Sequence, residues 1–162
     1  MKKYFLIATI AVAVIYIMSN MTYQQQSIVP ILQTYLASKP FEQVISSIEF
    51  MYIGDLISVD TMGYFYFLEF LIRKATHFFG YGFVGVIFYG IFRHLRTRLP
   101  ALFAVITITI IASLDEYLQS GTPGRTGTSL DVMLDVAGAI FCITVFSAIL
   151  ILTRGTTKVL KR

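Results

Sequence analysis

The chain has 162 residues, of which 56% are hydrophobic and only 14% charged, and its mean hydropathy is +0.73. Soluble domains carry about a quarter of charged residues, and small domains bury the smallest fraction of their surface. This composition therefore excludes a water-soluble domain and indicates a lipid environment. The basic residues flank apolar runs, so the net charge of +4 is better explained by residues that orient the spans in the membrane than by a nucleic-acid-binding surface. We therefore do not expect the chain to bind nucleic acid.

Four apolar runs predict four membrane-spanning helices in a single domain that covers residues 1–162. They lie at about 4–21, 75–92, 101–118 and 132–152. The first follows Lys2 and Lys3, as a signal peptide would, but no small-x-small cleavage pattern follows it, so we predict an uncleaved anchor. The third is rich in β-branched residues, yet its length and its apolar neighbours favour a helix over a buried strand. The predicted fold class is an all-α polytopic membrane protein.

A long outer segment, at about 22–73, separates the first two spans and is too apolar to be a linker. Apolar residues at helical spacing before and after Pro40 predict two short amphipathic helices, lying on the outer leaflet or capping the bundle. The glycine-containing stretch 50–63 allows a small hairpin. The aromatic stretch 64–72 predicts an interfacial helix that leads into the second span.

Charge predicts the orientation of the spans. Nine of the 13 Lys and Arg residues lie in the N-terminus, in the loop between the second and third spans, and in the C-terminal tail. These nine are Lys2, Lys3, Arg93, Arg96, Arg98, Arg154, Lys158, Lys161 and Arg162. Four spans put the three segments on one side, which the positive-inside rule assigns to the cytoplasm. All nine acidic residues fall on the opposite side or at its membrane boundary.

Three polar clusters stand at the predicted outer ends of the second, third and fourth spans. They are Arg73, Lys74, His77 and Tyr81; Asp115, Glu116 and Gln119; and Asp131 with Asp135. Lys74, His77 and Tyr81 share one helix face at their spacing. Gly138 lies one turn beyond Asp135, where it permits a neighbouring helix to approach closely.

A Gly- and Thr-rich turn at 121–129 precedes the fourth span and carries Arg125. Donor-rich loops ahead of a helix N-terminus bind anions, and a guanidinium suits carboxylate or phosphate. The structural alternative is that Arg125 and Lys74 only neutralise the nearby carboxylates, because charges at helix ends are tolerated. We favour a ligand site because three spans converge their ionisable groups at one level.

We predict neither a metal nor another cofactor. One histidine beside a lysine is a poor metal site, and carboxylates alone would hold a hard cation loosely. The single Cys142 lies in an apolar run, where a buried thiol is most often a small hydrophobe.

The polar motifs in combination resemble those of the VanZ-like membrane proteins, and the resemblance covers nearly the whole chain. The matching stretches are IRKATHFFGY (72–81), LDEYLQSGTPGRTGTSLDV (114–132) and DVAGA (135–139). Asp135 is a departure, since many members carry Asn there. The resemblance implies the envelope of a bacterium and its cytoplasmic membrane. The family takes its name from a member linked to low-level resistance to teicoplanin, a lipoglycopeptide antibiotic that acts at the membrane's outer face. The resemblance implies no particular reaction.

The first functional hypothesis is an envelope protein that binds an anionic amphiphile at the outer leaflet. The ligand would be a lipid-linked wall precursor, a lipid-anchored polymer or the lipoglycopeptide itself, and binding would account for teicoplanin tolerance. The predicted ligand-binding residues are Arg73, Lys74, Tyr81, Asp115, Gln119, Arg125 and Asp131. The cations would hold the phosphate or carboxylate, and the aromatic outer segment would shield the lipid portion.

The second hypothesis is an intramembrane hydrolase or transferase acting on an envelope lipid. His77 or Glu116 would serve as general acid or base, and Asp135 would orient His77 or Arg125. A transporter or flippase is the third and weakest, because the inner halves of the spans lack polar residues. The oligomeric state stays open.

Overall fold

The computed structural model describes residues 2–159, with side chains as far as Thr153. The basic tail predicted to face the cytoplasm lies mostly outside this range: Lys161 and Arg162 are not described, nor are the side chains of Arg154 and Lys158. The elements are α1 (Lys2–Ser19), α2 (Tyr23–Gln26), α3 (Val29–Tyr35), α4 (Glu42–Ser46), β1 (Phe50–Tyr52), β2 (Asp55–Ile57), α5 (Val59–Met62), α6 (Tyr64–His94), α7 (Pro100–Ser120) and α8 (Ser129–Val159).

Four of these helices are long and apolar enough to cross a membrane: α1, α6, α7 and the Ser129–Thr153 part of α8. The predicted all-α polytopic fold is therefore confirmed. Many of their large apolar side chains point away from the bundle, and Leu6, Phe83 and Ile151 are each more than half exposed. Exposed apolar surface on this scale would make a protein in water aggregate, whereas lipid solvates it.

The helix α6 is longer than the predicted second span. Residues 64–72 do not form a separate interfacial helix but are the first turns of α6, a single helix of 31 residues. The chain has neither Gly nor Pro between residues 64 and 79, so nothing interrupts the hydrogen bonds of the helix there. Arg73 and Lys74 consequently lie about two and a half turns inside the helix rather than at its end.

The connection between α1 and α6 contains the two helices predicted on either side of Pro40, namely α3 and α4, and the predicted hairpin β1–β2. In the hairpin Phe50 pairs with Ile57 and Tyr52 with Asp55. Both turn residues between the strands have positive φ angles, as a type I′ turn requires, and the second of them is a glycine. The hairpin thereby brings Tyr52 back to the helical bundle.

The helix α6 lies at the centre of the bundle, packing most extensively against α8 and also against α7 and α1. The core between α6, α7 and α8 is formed by Tyr81, Val84, Ile108, Ala112 and Ala139. A Cβ atom on Gly138 would lie 2.0 Å from the carbonyl oxygen of Phe78, so α6 and α8 touch backbone to backbone, as predicted for Gly138. The helix α1 is the most loosely packed, burying only Ala8 and Ser19.

Candidate functional site

Polar and charged side chains gather at one end of the bundle, which we call the polar end. It lies where α1 and α7 end, α8 begins, and the N-terminal part of α6 passes between them. Its members include all ten predicted site residues: Arg73, Lys74, His77, Tyr81, Asp115, Glu116, Gln119, Arg125, Asp131 and Asp135. The short connection between α7 and α8 makes these helices antiparallel neighbours, so their polar ends meet at one level.

One face of α6 pairs with acidic residues of α7 and α8. Lys74 forms an ion pair with Asp131, and His77 lies one turn further along, with its Nδ1 3.1 Å from Oδ1 of Asp135. The hydroxyl of Tyr81 donates to Oδ2 of Asp115 at 2.6 Å. The shared face predicted for Lys74, His77 and Tyr81 is thus the face that α6 turns towards its partner helices.

Asp135 orients the imidazole of His77. The carboxylate is completely buried and can only accept, so in a neutral ring it holds the proton on Nδ1. Nε2 then keeps its lone pair and is free to act as a base or as a ligand. The ring of His77 also stacks on Tyr81, with 6.0 Å between the ring centroids.

Asp115 is the centre of a buried hydrogen-bond network. Its Oδ2 accepts from the Tyr81 hydroxyl and, at 2.8 Å, from Nε2 of Gln119, while its Oδ1 accepts from the hydroxyl of Ser19. The network joins α1, α6 and α7 through one carboxylate that is 5% exposed. Buried carboxylates need several donors of this kind, because burial removes the water that would otherwise solvate them.

Glu116 is the neighbouring carboxylate and is only half satisfied. Its Oε2 accepts from the backbone N–H of Thr128 at 2.8 Å. This contact depends on Gly127, where a Cβ atom would lie 2.0 Å from the backbone carbonyl oxygen of Glu116. Its Oε1 is buried without a hydrogen-bond partner among the described residues, an arrangement that is rare in native proteins and calls for an explanation.

Arg125 is held by neutral acceptors only. Its guanidinium donates to Oε1 of Gln119 at 2.6 Å, to Oε1 of Gln26 at 2.9 Å and to the carbonyl oxygen of Met18 at 3.2 Å. No carboxylate lies within ion-pair distance of it in the part of the chain that the structure describes. Partial burial and the nearby Arg73 lower the pKa of Arg125 from its ordinary value.

A cavity of about 640 Å³ opens between α1 and α6 and ends at these residues. Its apolar part is lined by Ile7, Ile10, Val14, Ile72, Phe83 and Val84. Its polar part is lined by Ser19, Gln26, Glu69, Arg73, His77, Tyr81, Asp115, Gln119 and Arg125. The cavity is therefore amphipathic, with an apolar channel beside the loosely packed α1 and a charged end.

The predicted site residues divide into two groups around this cavity. Arg73, His77, Tyr81, Asp115, Gln119 and Arg125 line it, whereas Lys74, Glu116, Asp131 and Asp135 lie behind them. Lys74 is turned towards the hairpin: its ammonium donates to the Tyr52 hydroxyl at 2.9 Å and lies over the ring of Tyr52. It is already paired with Asp131, and this pair links the hairpin to α6 and α8.

Sequence reasoning missed Glu69, which lines the cavity and is 3% exposed. Its two carboxylate oxygens accept from the Tyr23 hydroxyl and from the backbone N–H of Ile28. Burial and the bond to Glu69 raise the pKa of Tyr23 to about 12. A lone acid in an apolar stretch, one turn before Arg73, was the available signal.

A second missed residue is Tyr52, whose hydroxyl donates to Oδ1 of Asp131 at 2.6 Å. Burial and this hydrogen bond raise the pKa of Tyr52 from its ordinary value. Its place in the hairpin gave no sign that it would reach α8, because the fold of the whole α1–α6 connection decides that contact.

The fold and the polar end together define a helical membrane protein of four spans with a lateral amphipathic cavity. The chain belongs to the VanZ/LLP1 family, whose sequence model matches residues 4–152. The predicted family is thereby confirmed, and the motif stretches 72–81, 114–132 and 135–139 supply most of the polar end. No curated protein and no solved structure matches the chain.

Proposed function

We propose that this protein binds an anionic amphiphile of the bacterial cell envelope, with the lipid chain in the cavity and the headgroup at the polar end. The observation that carries the proposal is the form of the cavity, which is apolar along α1 and α6 and ends at Arg73 and Arg125. The shared chemistry of the ligand is an apolar chain joined to a phosphate or carboxylate, as in a lipid-linked wall precursor, a lipid-anchored polymer or a lipoglycopeptide.

The charges around the cavity favour a negative headgroup. Both carboxylates that line it, Glu69 and Asp115, have donors on each oxygen. Arg125 instead has only neutral acceptors, and Arg73 lies 3.8 Å from Glu69 and over the ring of Tyr23. A phosphate or carboxylate would accept charge-assisted hydrogen bonds from the guanidinium of Arg125, and such bonds are about twice as strong as neutral ones.

The apolar part of the cavity suits a chain that enters sideways from the bilayer. Its volume lies within the roughly 300–1,000 Å³ of ordinary ligand sites. Ile10, Val14 and Phe83 line it and are each more than half exposed, so the cavity is open towards lipid. The few buried residues of α1 leave that helix free to adjust to chains of different thickness.

Filling the cavity tests the proposal directly. Gly80 lines it, and a Cβ atom there would meet nothing within 4 Å, so Gly80→Leu adds side-chain volume at the wall of the cavity. Gly90→Leu is the matched control, because Gly90 lies on the same helix with equal space and outside the cavity. Native mass spectrometry with a polyprenyl phosphate and with phosphatidylglycerol should show binding lost in the first variant and kept in the second. Equal binding by both variants would rule out the cavity as the site.

The headgroup contact has its own test. Arg125→Gln should abolish the preference for a polyprenyl phosphate over the uncharged polyprenol, while binding of the chain itself persists. Arg96→Gln, an exposed change at the opposite end of the bundle, should have no effect. In cells, the same pair of variants shows whether teicoplanin tolerance depends on Arg125. An unchanged preference in the Arg125 variant would contradict the proposed headgroup site.

We place the polar end on the outer side of the cytoplasmic membrane, with both termini in the cytoplasm. The support is the group of arginines Arg93, Arg96 and Arg98 at the opposite end of the bundle. In a Cys142→Ala background, a membrane-impermeant maleimide should label Ser47→Cys in intact cells. Thr97→Cys should be labelled only after lysis, and the reverse pattern would contradict this orientation.

A second candidate is an intramembrane hydrolase or transferase acting on the same amphiphile. It is favoured by one observation: His77 lines the cavity while Asp135 fixes its Nδ1 from behind. His77→Gln would then lower release of phosphate from a polyprenyl diphosphate by about 10²–10⁴-fold, the range for a general acid or base, without loss of binding. Glu116→Gln tests the other proposed acid or base. Full turnover in both variants would exclude this function.

A further inference from the structure

Four potential metal ligands converge at the wall of the cavity. His77, Asp115, Glu116 and Asp135 each offer one ligand atom, and these four atoms all lie within 4.8 Å of one another. They come from the three helices α6, α7 and α8, so the packing of the bundle core brings them together. The three carboxylates are 5%, 5% and 0% exposed, respectively.

The charge of this cluster is not balanced by the described part of the chain. None of the three carboxylates has a Lys or Arg within ion-pair distance there, and the one basic partner is His77, beside Asp135. Burying several carboxylates without compensation is costly, so buried charges are as a rule paired or bound to metals. The nearest lysine does not help, because Lys74 pairs with Asp131.

Glu116 supplies an independent indication of a missing partner. Its Oε1 is buried without a hydrogen bond while Oε2 is fixed by the N–H of Thr128. An oxygen with both lone pairs unused, on a residue that is only 5% exposed, is a ready ligand for a cation. Asp115, by contrast, already accepts from Tyr81 and Gln119, so its donors would hold it in place for the ion.

We propose that His77, Asp115, Glu116 and Asp135 bind one divalent transition-metal ion. One imidazole nitrogen with three carboxylate oxygens suits Mn²⁺ or Zn²⁺ better than Mg²⁺ or Ca²⁺, which prefer oxygen ligands alone. Such ions hold their ligands at about 2.0–2.2 Å, so closing the site requires each side chain to move by less than about 1 Å. On the sequence alone a metal was not expected, because it did not show three carboxylates facing one histidine.

The ion would lie in the wall of the cavity, since His77 and Asp115 also line the cavity. It would add a positive charge beside Arg125 and so favour an anionic headgroup. The metal site does not depend on amphiphile binding, because the four ligands and their unbalanced charge predict it whether or not the cavity holds a lipid. Metal binding measured on lipid-free protein therefore separates the two proposals.

The test uses the full chain purified in detergent without added metal. Elemental analysis should show close to one bound Mn or Zn ion per chain, or the chelator-treated protein should take up one on titration with Mn²⁺ or Zn²⁺. The ion should raise the thermal unfolding midpoint, since a ligand that binds only the folded state stabilises it. Mg²⁺ and Ca²⁺ should give a smaller shift. A wild-type protein that binds no ion and shows no shift would overturn the proposal.

Glu116→Gln is the decisive variant, because Gln keeps the size and an acceptor for Thr128 but removes the charge. Its affinity for Mn²⁺ or Zn²⁺ should fall by at least about tenfold. Glu69→Gln makes the same change at another buried glutamate outside the cluster and should bind the ion as the wild type does. Infrared spectroscopy adds a measurement on the wild type in the presence of saturating Mn²⁺ or Zn²⁺: a protonated-carboxyl band that Glu116→Gln removes would then show a proton in place of the metal and would overturn the proposal.

Discussion

Replacing Gly138 by Ala should destabilise the bundle and disturb the polar end together. The Cβ atom would lie 2.0 Å from the carbonyl oxygen of Phe78, where real Cβ atoms stay beyond 3.0 Å. The obstacle is backbone, which no rotamer change can move. The helices α6 and α8 must therefore separate by about 1 Å, and His77 and Asp135, next to this contact, must part with them.

The magnitude follows from the cost of overpacking, which is about 1–3 kcal/mol for a well-packed core. In a chain of this length such a loss lowers the thermal unfolding midpoint by roughly 2–12 °C. The change also replaces a helical glycine, which by itself would stabilise a helix by up to about 1 kcal/mol. The experiment therefore needs a control variant in which a helical glycine is replaced by alanine without any overpacking.

Gly80→Ala is that control, because it lies on α6 with no atom within 4 Å of its new Cβ. Thermal unfolding in detergent, followed by circular dichroism, should give a lower midpoint for Gly138→Ala and an equal or higher one for Gly80→Ala. If both variants unfold at the wild-type midpoint, α6 and α8 do not touch at Gly138, and the close crossing that brings His77 to Asp135 is refuted.

Two further predictions concern the ends of the α1–α6 connection. The pKa of Tyr23 is raised to about 12 from an ordinary value of about 10, so the contribution of Tyr23 to stability is complete below pH 10 and is lost as the pH rises towards 12. Tyr23→Phe should remove this loss, measured as the difference in unfolding midpoint between pH 9 and pH 11. An unchanged difference would contradict the bond to Glu69. Lys74→Met leaves Asp131 without its cationic partner and should lower the free energy of unfolding by about 3 kcal/mol, as for other buried pairs. Adding Asp131→Asn to the same chain should restore part of this loss. Additive losses in the double variant would show that the two residues do not interact.

Hydropathy and helical spacing were enough to predict the architecture. The apolar runs predicted four spans, all of which are found as helices, and the glycine one turn after Asp135 predicted the close crossing at Gly138. These predictions succeeded because a span must satisfy its own backbone hydrogen bonds in lipid, which makes it a local property of the sequence. The helix that contains the second span begins earlier than the predicted span, at Tyr64 rather than at about residue 75, because polar side chains do not end a helix whose backbone hydrogen bonds are uninterrupted.

Spacing along one helix also predicted that Lys74, His77 and Tyr81 share a face, but not which residue each of them meets. Their partners come from α7 and α8, so only the packing of three helices decides that Lys74 pairs with Asp131 and that His77 lies against Asp135. The same packing leaves Oε1 of Glu116 without a partner. The lateral cavity also escaped prediction, because it is a gap between α1 and α6, and a gap depends on how closely two helices approach each other.

The sequence by itself determined that this is a four-span protein whose acidic residues lie towards one side, since composition and periodicity are properties of single segments, and its motifs predicted the family by resemblance. The tertiary structure decided how those groups are divided. In the folded chain Arg125 lines the cavity with neutral partners, and Lys74 contacts the hairpin. Three carboxylates are buried next to one histidine. The physical reason is that charge balance in a buried site is settled across helices, by contacts between residues far apart in the chain.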